Sequence, residues 1–168
     1  NFAFIRFHYD INHKEAPHST FKFCKFVTLF SKNRLMITTD ILIIGAGPTG
    51  LFTVFEAGLL KLKCHLIDAL PQPGGQLTEL YPKKPIFDIP GFPSINAGDL
   101  VDNLMEQTKQ FQPGFTLGET AQTLTKLEDG TFEVITNKGT VHHSKAVAIA
   151  GGLGTFEPRK PLLENLSD

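Results

Sequence analysis

The stretch Asp40-Ile-Leu-Ile-Ile-Gly45-Ala-Gly-Pro-Thr-Gly50 decides the fold. Its first half is a short β-branched apolar run, of the kind that forms a strand buried on both faces of a parallel sheet. Its second half is a GxGxxG sequence. The residues that follow have the apolar spacing of a helix, with one side formed by Leu51, Val54, Phe55, Gly58 and Leu59. The pattern predicts a strand, a tight turn and a helix.

Each glycine of this turn has a separate physical role. Gly45 permits the tight turn, Gly47 lets the backbone approach a pyrophosphate, and Gly50 lets the helix pack closely on the sheet. Pro48 suits the first helical turn, where a missing N–H costs nothing, and Thr49 lies beside it. The free N–H groups at the start of the helix attract phosphate. The motif therefore predicts a dinucleotide site.

A carboxylate marks the ribose side of this predicted site. The apolar run Lys63-Cys-His-Leu-Ile67 predicts a second strand, which ends in Asp68. An acid that binds the adenosine ribose is expected about 20 residues after the start of the motif. It would repel a 2′-phosphate, so the site should hold FAD or NAD and disfavour NADP. The alternative is a glycine-rich turn without a ligand, which the flanking strand, helix and acid argue against.

The segment from Pro71 to Pro93 favours FAD over NAD. It is rich in proline and glycine, yet it also holds Leu, Tyr, Ile and Phe residues, which a solvated linker would not need. A long loop inside a domain is usually functional. An extended ligand such as FAD needs a loop of this kind along its flavin end.

At this segment the chain resembles a known family. GGQLTELYPKKPIFDIPGFP, residues 74–93, together with the GxGxxG motif, is similar to the FAD domain of the thioredoxin-reductase-like ferredoxin–NADP reductases. The resemblance extends from about Met36 to the end of the chain. True thioredoxin reductases share the GGQ and a Pro-Gly-Phe but usually lack Leu-Tyr-Pro-x-Lys. The implied fold class is α/β, a parallel-sheet FAD-binding domain of the two-dinucleotide-binding flavoprotein type with an antiparallel β-meander insert.

The resemblance also implies which residues bind the cofactor. We predict no catalytic side chain, because the flavin carries the chemistry. Without the resemblance, Tyr81, Asp88 and Phe156 would be assigned to packing, to a turn or to surface charge. The predicted FAD contacts are the phosphate turn (Gly45, Gly47, Pro48, Thr49, Gly50), the ribose acid Asp68, Gln76 reaching toward the FAD, Tyr81 against the flavin ring, the Ala121 backbone at the adenine edge, and the aromatic Phe156 near the flavin.

The activity implied by the resemblance is hydride transfer from NADPH to FAD, followed by single-electron delivery to ferredoxin or flavodoxin. Family members are commonly homodimers. An NADPH domain and a last FAD segment are expected after Asp168, so that residues 36–168 form an incomplete FAD-binding domain, inactive alone. Two alternatives stay open at this point: a thioredoxin reductase, and a truncated, non-catalytic FAD-binding fragment.

Composition limits the other classes of function. The chain has 168 residues, 41% of them hydrophobic, and a formal net charge of −1, which suits one domain with a sizeable core. This balance predicts no binding to nucleic acid, and no apolar run is long enough to span a membrane. Cys24 and Cys64 form no CxxC pair, so we expect no metal site, a reducing cytoplasmic setting, and Cys64 as a core residue.

The remaining elements follow from periodicity and turns. Asn96 to Phe111 predicts a helix. Three short strands should form the meander, because Glu-Asp-Gly and Asn-Lys-Gly separate them; they are Ala121–Leu127, Thr131–Thr136 and Gly139–His142. Lys145–Ala150 predicts a last apolar strand.

The first 35 residues read differently from the rest. They hold seven of the fifteen Phe residues and follow neither strand nor helix spacing. We interpret residues 1–35 as a non-native or disordered extension, translated from upstream of the true start at Met36. The alternatives are a targeting peptide, which Asp10, Glu15 and the absence of a compact apolar core argue against, and a family-specific extension.

Overall fold

The computed structural model describes residues 36–153. The predicted extension 1–35, Cys24 and Phe156 therefore lie outside the described residues. The elements, in chain order, are β1 (Met36–Ile44), α1 (Pro48–Leu59), β2 (Cys64–Asp68), α2 (Gln76–Glu79), β3 (Pro85–Ile86), β4 (Ile95–Asn96), α3 (Ala97–Lys109), β5 (Gly114–Leu117), β6 (Ala121–Lys126), β7 (Phe132–Thr136) and β8 (Val141–Ile149).

Six of these strands form one sheet in the order β5-β2-β1-β8-β7-β6. β5, β2, β1 and β8 run parallel to one another, whereas β6, β7 and β8 pair antiparallel. β3 and β4 form a separate two-stranded antiparallel sheet. The predicted α/β class, a parallel sheet with an antiparallel meander, is confirmed.

The last strand differs from the prediction. Gly139–His142 and Lys145–Ala150 were expected as two strands, but β8 is continuous from Val141 to Ile149. Its whole length pairs with β1, and its first half also pairs with β7. The polar run His143-Ser144-Lys145 interrupts the apolar pattern without interrupting the backbone ladder, because pairing to β1 fixes the backbone through it.

Two apolar clusters cover the two faces of the sheet. One lies under the helices and the other under the meander, where Leu42, Ile67 and Val134 meet. Burial of each such side chain contributes about 1.5–3 kcal/mol. Cys64 is a free thiol in the helix-side cluster, as predicted, and burial raises its pKa. The buried members of that cluster are Ile43, Ala46, Leu51, Val54, Ala57, Cys64, Leu66 and Val101.

Helix α1 packs through a glycine against Phe111, which follows α3 by two residues. A Cβ on Gly58 would lie 2.3 Å from the Phe111 ring, so only glycine lets that ring lie flat against α1. The predicted apolar side of α1 is buried at Leu51, Val54 and Gly58, but Leu59 is 59% exposed. In residues 36–153 we find no helix long and apolar enough to cross a membrane.

Candidate dinucleotide site

Packing of the backbone explains two of the three glycines in the Gly45–Gly50 turn. Gly45 has φ +110°, and a Cβ there would lie 2.3 Å from the Ala150 carbonyl oxygen at the end of β8. A Cβ on Gly50 would lie 2.0 Å from the Gly45 carbonyl oxygen. Neither contact leaves room for a side chain. The two glycines therefore hold the start of α1 tightly against the ends of β1 and β8.

Gly47 has no such explanation within the protein. It has φ −72°, which any residue adopts, and a Cβ there would meet nothing within 4 Å. Glycine at this position keeps an open surface beside the backbone. Gly47 is also the N-cap of α1, with no side-chain cap, with Pro48 following and with no acidic residue in the first turn. The free N–H groups of this turn and the helix dipole fit a phosphate group.

Asp68 lies at this turn, but its oxygens are already engaged by the protein. Oδ2 accepts a hydrogen bond from the Ala46 N–H at 2.6 Å, and Oδ1 accepts one from the Leu70 N–H at 2.9 Å. An ionised carboxylate has about four acceptor positions, so capacity remains for ribose hydroxyls. The acid joins β2 to the glycine turn, and its role as a ribose ligand stays a prediction.

The GGQ sequence is attached directly to the same turn. The Gly74 N–H donates to the Ala46 carbonyl oxygen at 2.8 Å. A Cβ on Gly75 would lie 3.4 Å from the Gly47 Cα. Gly74 and Gly75 have φ +113° and +59°, conformations that favour glycine. This turn places Gln76, the first residue of α2, one residue after the contact with Gly47.

Tyr81 forms one wall of an open groove that also includes Leu77 of α2. Its hydroxyl donates to the Gln76 Oε1 at 3.2 Å, and the Lys84 Nζ lies 5.1 Å from its ring centre. The groove has a volume of ≈ 460 Å³. Phe87, 70% exposed, stands at its rim. Its lining is formed by Leu77, Tyr81, Lys84, Pro85, Ile86, Phe87 and Asp88.

Ala121 opens β6 and is linked to the end of β2 through the loop before it. The Gly118 N–H donates to the Leu70 carbonyl oxygen at 2.9 Å, and the Glu119 N–H donates to that of Asp68 at 3.0 Å. The structure thus groups Ala121 with Asp68 and the glycine turn. Tyr81 joins them through Gln76, while Phe156 lies outside the described residues.

Two features of this site were missed in the sequence. The first is the contact of Gly75 with Gly47, although the glycine doublet is a signal for a close approach of backbones. The second is the attachment of the Gly118–Thr120 loop to β2, which depends on the short strand β5, also missed. Gly118 has φ +68°, so a glycine after an apolar run was the available signal.

Two histidines are buried beneath this region, on the meander side of the sheet. The rings of His65 and His142 lie 5.0 Å apart, and His65 Nε2 bonds the Thr116 hydroxyl at 2.8 Å. Burial, and then the neighbouring ring, lowers the pKa of His65 to about 4. Burial also lowers the pKa of His142, against the opposing effect of Glu119. Both rings are therefore neutral at pH 7.

Comparison with known proteins identifies relatives that share part of their length with this chain. No model of a known protein family matches the chain. The ferredoxin–NADP reductase of Flavobacterium psychrophilum is 79% identical over 131 residues, which are 78% of this chain and 37% of that protein. That of Flavobacterium johnsoniae is 77% identical over the same shares. The chain thus spans less than two fifths of the length of these relatives.

Solved structures agree on the fold. The crystal structure of thioredoxin reductase from Streptococcus pyogenes matches with a TM-score of 0.58 and 26% identity, over 67% of this chain and 34% of that one. The resemblance predicted from the sequence is thereby confirmed: the chain is related to part of the ferredoxin–NADP reductases, and its described residues share the fold of thioredoxin reductase.

Proposed function

We propose that this chain is the FAD-binding part of a flavoprotein oxidoreductase that moves electrons between NADPH, FAD and ferredoxin or flavodoxin. The observation that carries the proposal is the open face of Gly47 at the uncapped start of α1. A glycine that neither φ nor packing requires is explained by a ligand whose phosphates approach the backbone.

The proposed FAD position follows from the same geometry. The pyrophosphate lies against Gly47, Pro48 and the N–H groups of Thr49 and Gly50. The adenosine extends toward Asp68 and the backbone of Ala121, and the flavin extends past Gln76 toward Tyr81 and the groove beside it. Phe156 is proposed at the flavin from the family resemblance. A bound flavin accepts a hydride and releases electrons singly.

The similarity to the flavobacterial reductases supports the choice of NADPH and of ferredoxin or flavodoxin as reaction partners. The chain itself has one GxGxxG sequence, so we propose that these residues hold FAD and do not turn over NADPH alone. From the family resemblance, and from two cysteines that form no CxxC pair, we further propose a cytoplasmic homodimer.

The direct test is a titration of the full chain with FAD, in which binding is measured by the change in flavin fluorescence. Gly47→Ala should weaken FAD binding by about tenfold or more, because a methyl group enters the phosphate position. Circular dichroism should remain that of the wild type. Glu56→Ala is the control, since it changes an exposed residue in the second half of the same helix. Binding of NAD without FAD would contradict the proposal.

Thioredoxin reductase is the second candidate, supported by the 26% identity to the streptococcal enzyme. Identity of 79% to a ferredoxin–NADP reductase favours the first. The deciding measurement is stopped-flow reduction of ferredoxin by NADPH through the full-length protein, compared with reduction of thioredoxin. Efficient reduction of thioredoxin without ferredoxin turnover would reverse the assignment.

A further inference from the structure

The loop Gly118–Thr120 is held from two sides, and the second side belongs to the meander. On the first side it bonds the end of β2, through the backbone of Leu70 and Asp68. On the second side it meets the turn between β7 and β8, Asn137–Thr140. Because this loop leads directly into Ala121, whatever holds it also sets the position of the Ala121 backbone.

Three hydrogen bonds make the second attachment, and a fourth supports the hydroxyl that donates one of them. The Thr120 N–H donates to the Asn137 Oδ1 at 3.0 Å, and the Asn137 N–H donates to the Thr120 carbonyl oxygen at 2.9 Å. The Thr136 hydroxyl donates to the Glu119 Oε2 at 2.5 Å, and the Thr140 N–H donates to that same hydroxyl at 3.1 Å. We call these contacts the meander latch.

The electrostatics of the latch suit an ionised Glu119. The bond from Thr136 is the largest of the effects that hold the pKa of the Glu119 carboxyl below its ordinary value, and the Lys138 ammonium acts in the same direction. A hydrogen bond to an ionised acceptor is roughly twice as strong as one between neutral groups. Thr136 is 1% exposed, so its hydroxyl has little access to water as an alternative partner.

The latch is continuous with the dinucleotide site. Glu119 donates its N–H to the backbone of Asp68, whose side chain binds the Ala46 N–H in the glycine turn. A displacement of the loop would therefore reach the adenosine end of the site directly through Asp68, and the groove beside Tyr81 only indirectly, through Ala46, Gly74 and Gln76.

We infer that Thr136 and Asn137 are positioning residues for the adenosine end of the bound dinucleotide, acting through Glu119 and Thr120 on the backbone that leads into Ala121. This inference rests on the proposed function. It assigns to the end of β7 and the turn that follows it a part in distinguishing a ligand that carries adenosine from one that does not.

The test uses ligands that separate the two ends of FAD. Titrate the full chain with FAD, and then compete FAD with ADP, which carries the adenosine and two phosphates, and with FMN, which carries the flavin and one phosphate but no adenosine. Thr136→Val and Asn137→Ala should each raise the dissociation constant of FAD and the inhibition constant of ADP about fivefold. The inhibition by FMN should stay at its wild-type level.

Matched controls separate positioning from general damage. Thr136→Ser keeps the hydroxyl and should restore wild-type affinity. Thr125→Val removes an exposed strand hydroxyl on β6, and Asn103→Ala removes an exposed amide on α3; neither should change ADP inhibition. Asn137 lies in an exposed turn, so its variant folds even where Thr136→Val does not.

The outcomes are distinguishable. Folded variants with unchanged FAD and ADP constants would overturn the inference, as would equal losses for ADP and FMN. A wild-type chain that binds no FAD would instead overturn the proposed function on which the inference depends.

Discussion

The turn Gly45–Gly50 and the loop Pro71–Pro93 border the same site, but they are held by different means. In the turn, backbone atoms pack so closely that two glycines have no room for a methyl group. In the loop, Phe87 and Phe92 are 70% and 42% exposed, and the groove beside Tyr81 is open. The turn is held by contacts within the protein, whereas the loop presents apolar surface that the proposed ligand would cover.

The largest expected effect tests the close packing of the Gly45–Gly50 turn. Gly50→Ala should lower the free energy of unfolding by about 3 kcal/mol or more, because its Cβ would overlap the Gly45 carbonyl oxygen. Gly47→Ala, three residues earlier, should cost about 1 kcal/mol or less, since its Cβ meets nothing. Urea denaturation measures both. Equal losses would show that close packing does not distinguish the two glycines.

The next effect is a loss of stability in acid, which originates at the buried histidines His65 and His142. The folded state depresses the pKa of His65 from 6.5 to about 4, so the unfolded chain binds more protons between these values. Stability is then fully present above pH 6.5 and falls as pH drops toward 4, by about 2 kcal/mol between pH 7 and pH 5. His142 acts in the same direction, whereas Glu119, with a lowered pKa, contributes only at lower pH.

The measurement is the urea midpoint at several pH values between 7.5 and 4.5. His65→Gln should flatten the slope, because the residue that takes up the proton is gone. His143→Gln is the control: that ring is partly exposed and bonds Glu133 at 2.9 Å, and its removal should leave the dependence of the urea midpoint on pH unchanged. A slope unaffected by His65→Gln would locate the acid sensitivity elsewhere.

A smaller effect is expected at the acid that joins β2 to the turn. Asp68→Asn replaces one carboxylate oxygen by an NH₂ group facing an N–H donor, and should cost about 1.5 kcal/mol even without a ligand. Asp88→Asn, an exposed carboxylate at the groove, is the comparison and should cost nothing measurable. Thermal melting of the two variants decides whether Asp68 is structural as well as a predicted ribose ligand.

The smallest effect is expected in the Pro71–Pro93 loop. Tyr81→Phe removes the bond to Gln76 and should lower the stability of the ligand-free chain by about 0.5 kcal/mol. With FAD present, we expect the aromatic ring to remain in place and binding to persist. A loss comparable to that of Gly50→Ala would mean that the loop is as tightly built as the turn, and the contrast between them would fail.

The contrast also explains what the sequence predicts. The Gly45–Gly50 turn and Asp68 follow from local spacing, because glycines and an acid at fixed distances have few other uses. The meander latch does not, since it joins residues 119 and 136 through a hydrogen bond that no local pattern encodes. The sequence pattern predicts two strands in place of β8, because the polar residues in its middle are stabilised by neighbouring strands, and a linear pattern does not contain that pairing.

The continuity of β8 has a consequence for protein engineering. Because one strand belongs to both the meander and the parallel sheet, the meander cannot be exchanged as a cassette without cutting the central ladder. The turn between β6 and β7 is different: Glu128, Asp129 and Gly130 are exposed, and the Leu127 N–H already closes it onto the Thr131 carbonyl oxygen at 2.8 Å. An epitope tag or fluorescent reporter inserted there should lengthen only the tip of the hairpin and leave the dinucleotide site unchanged.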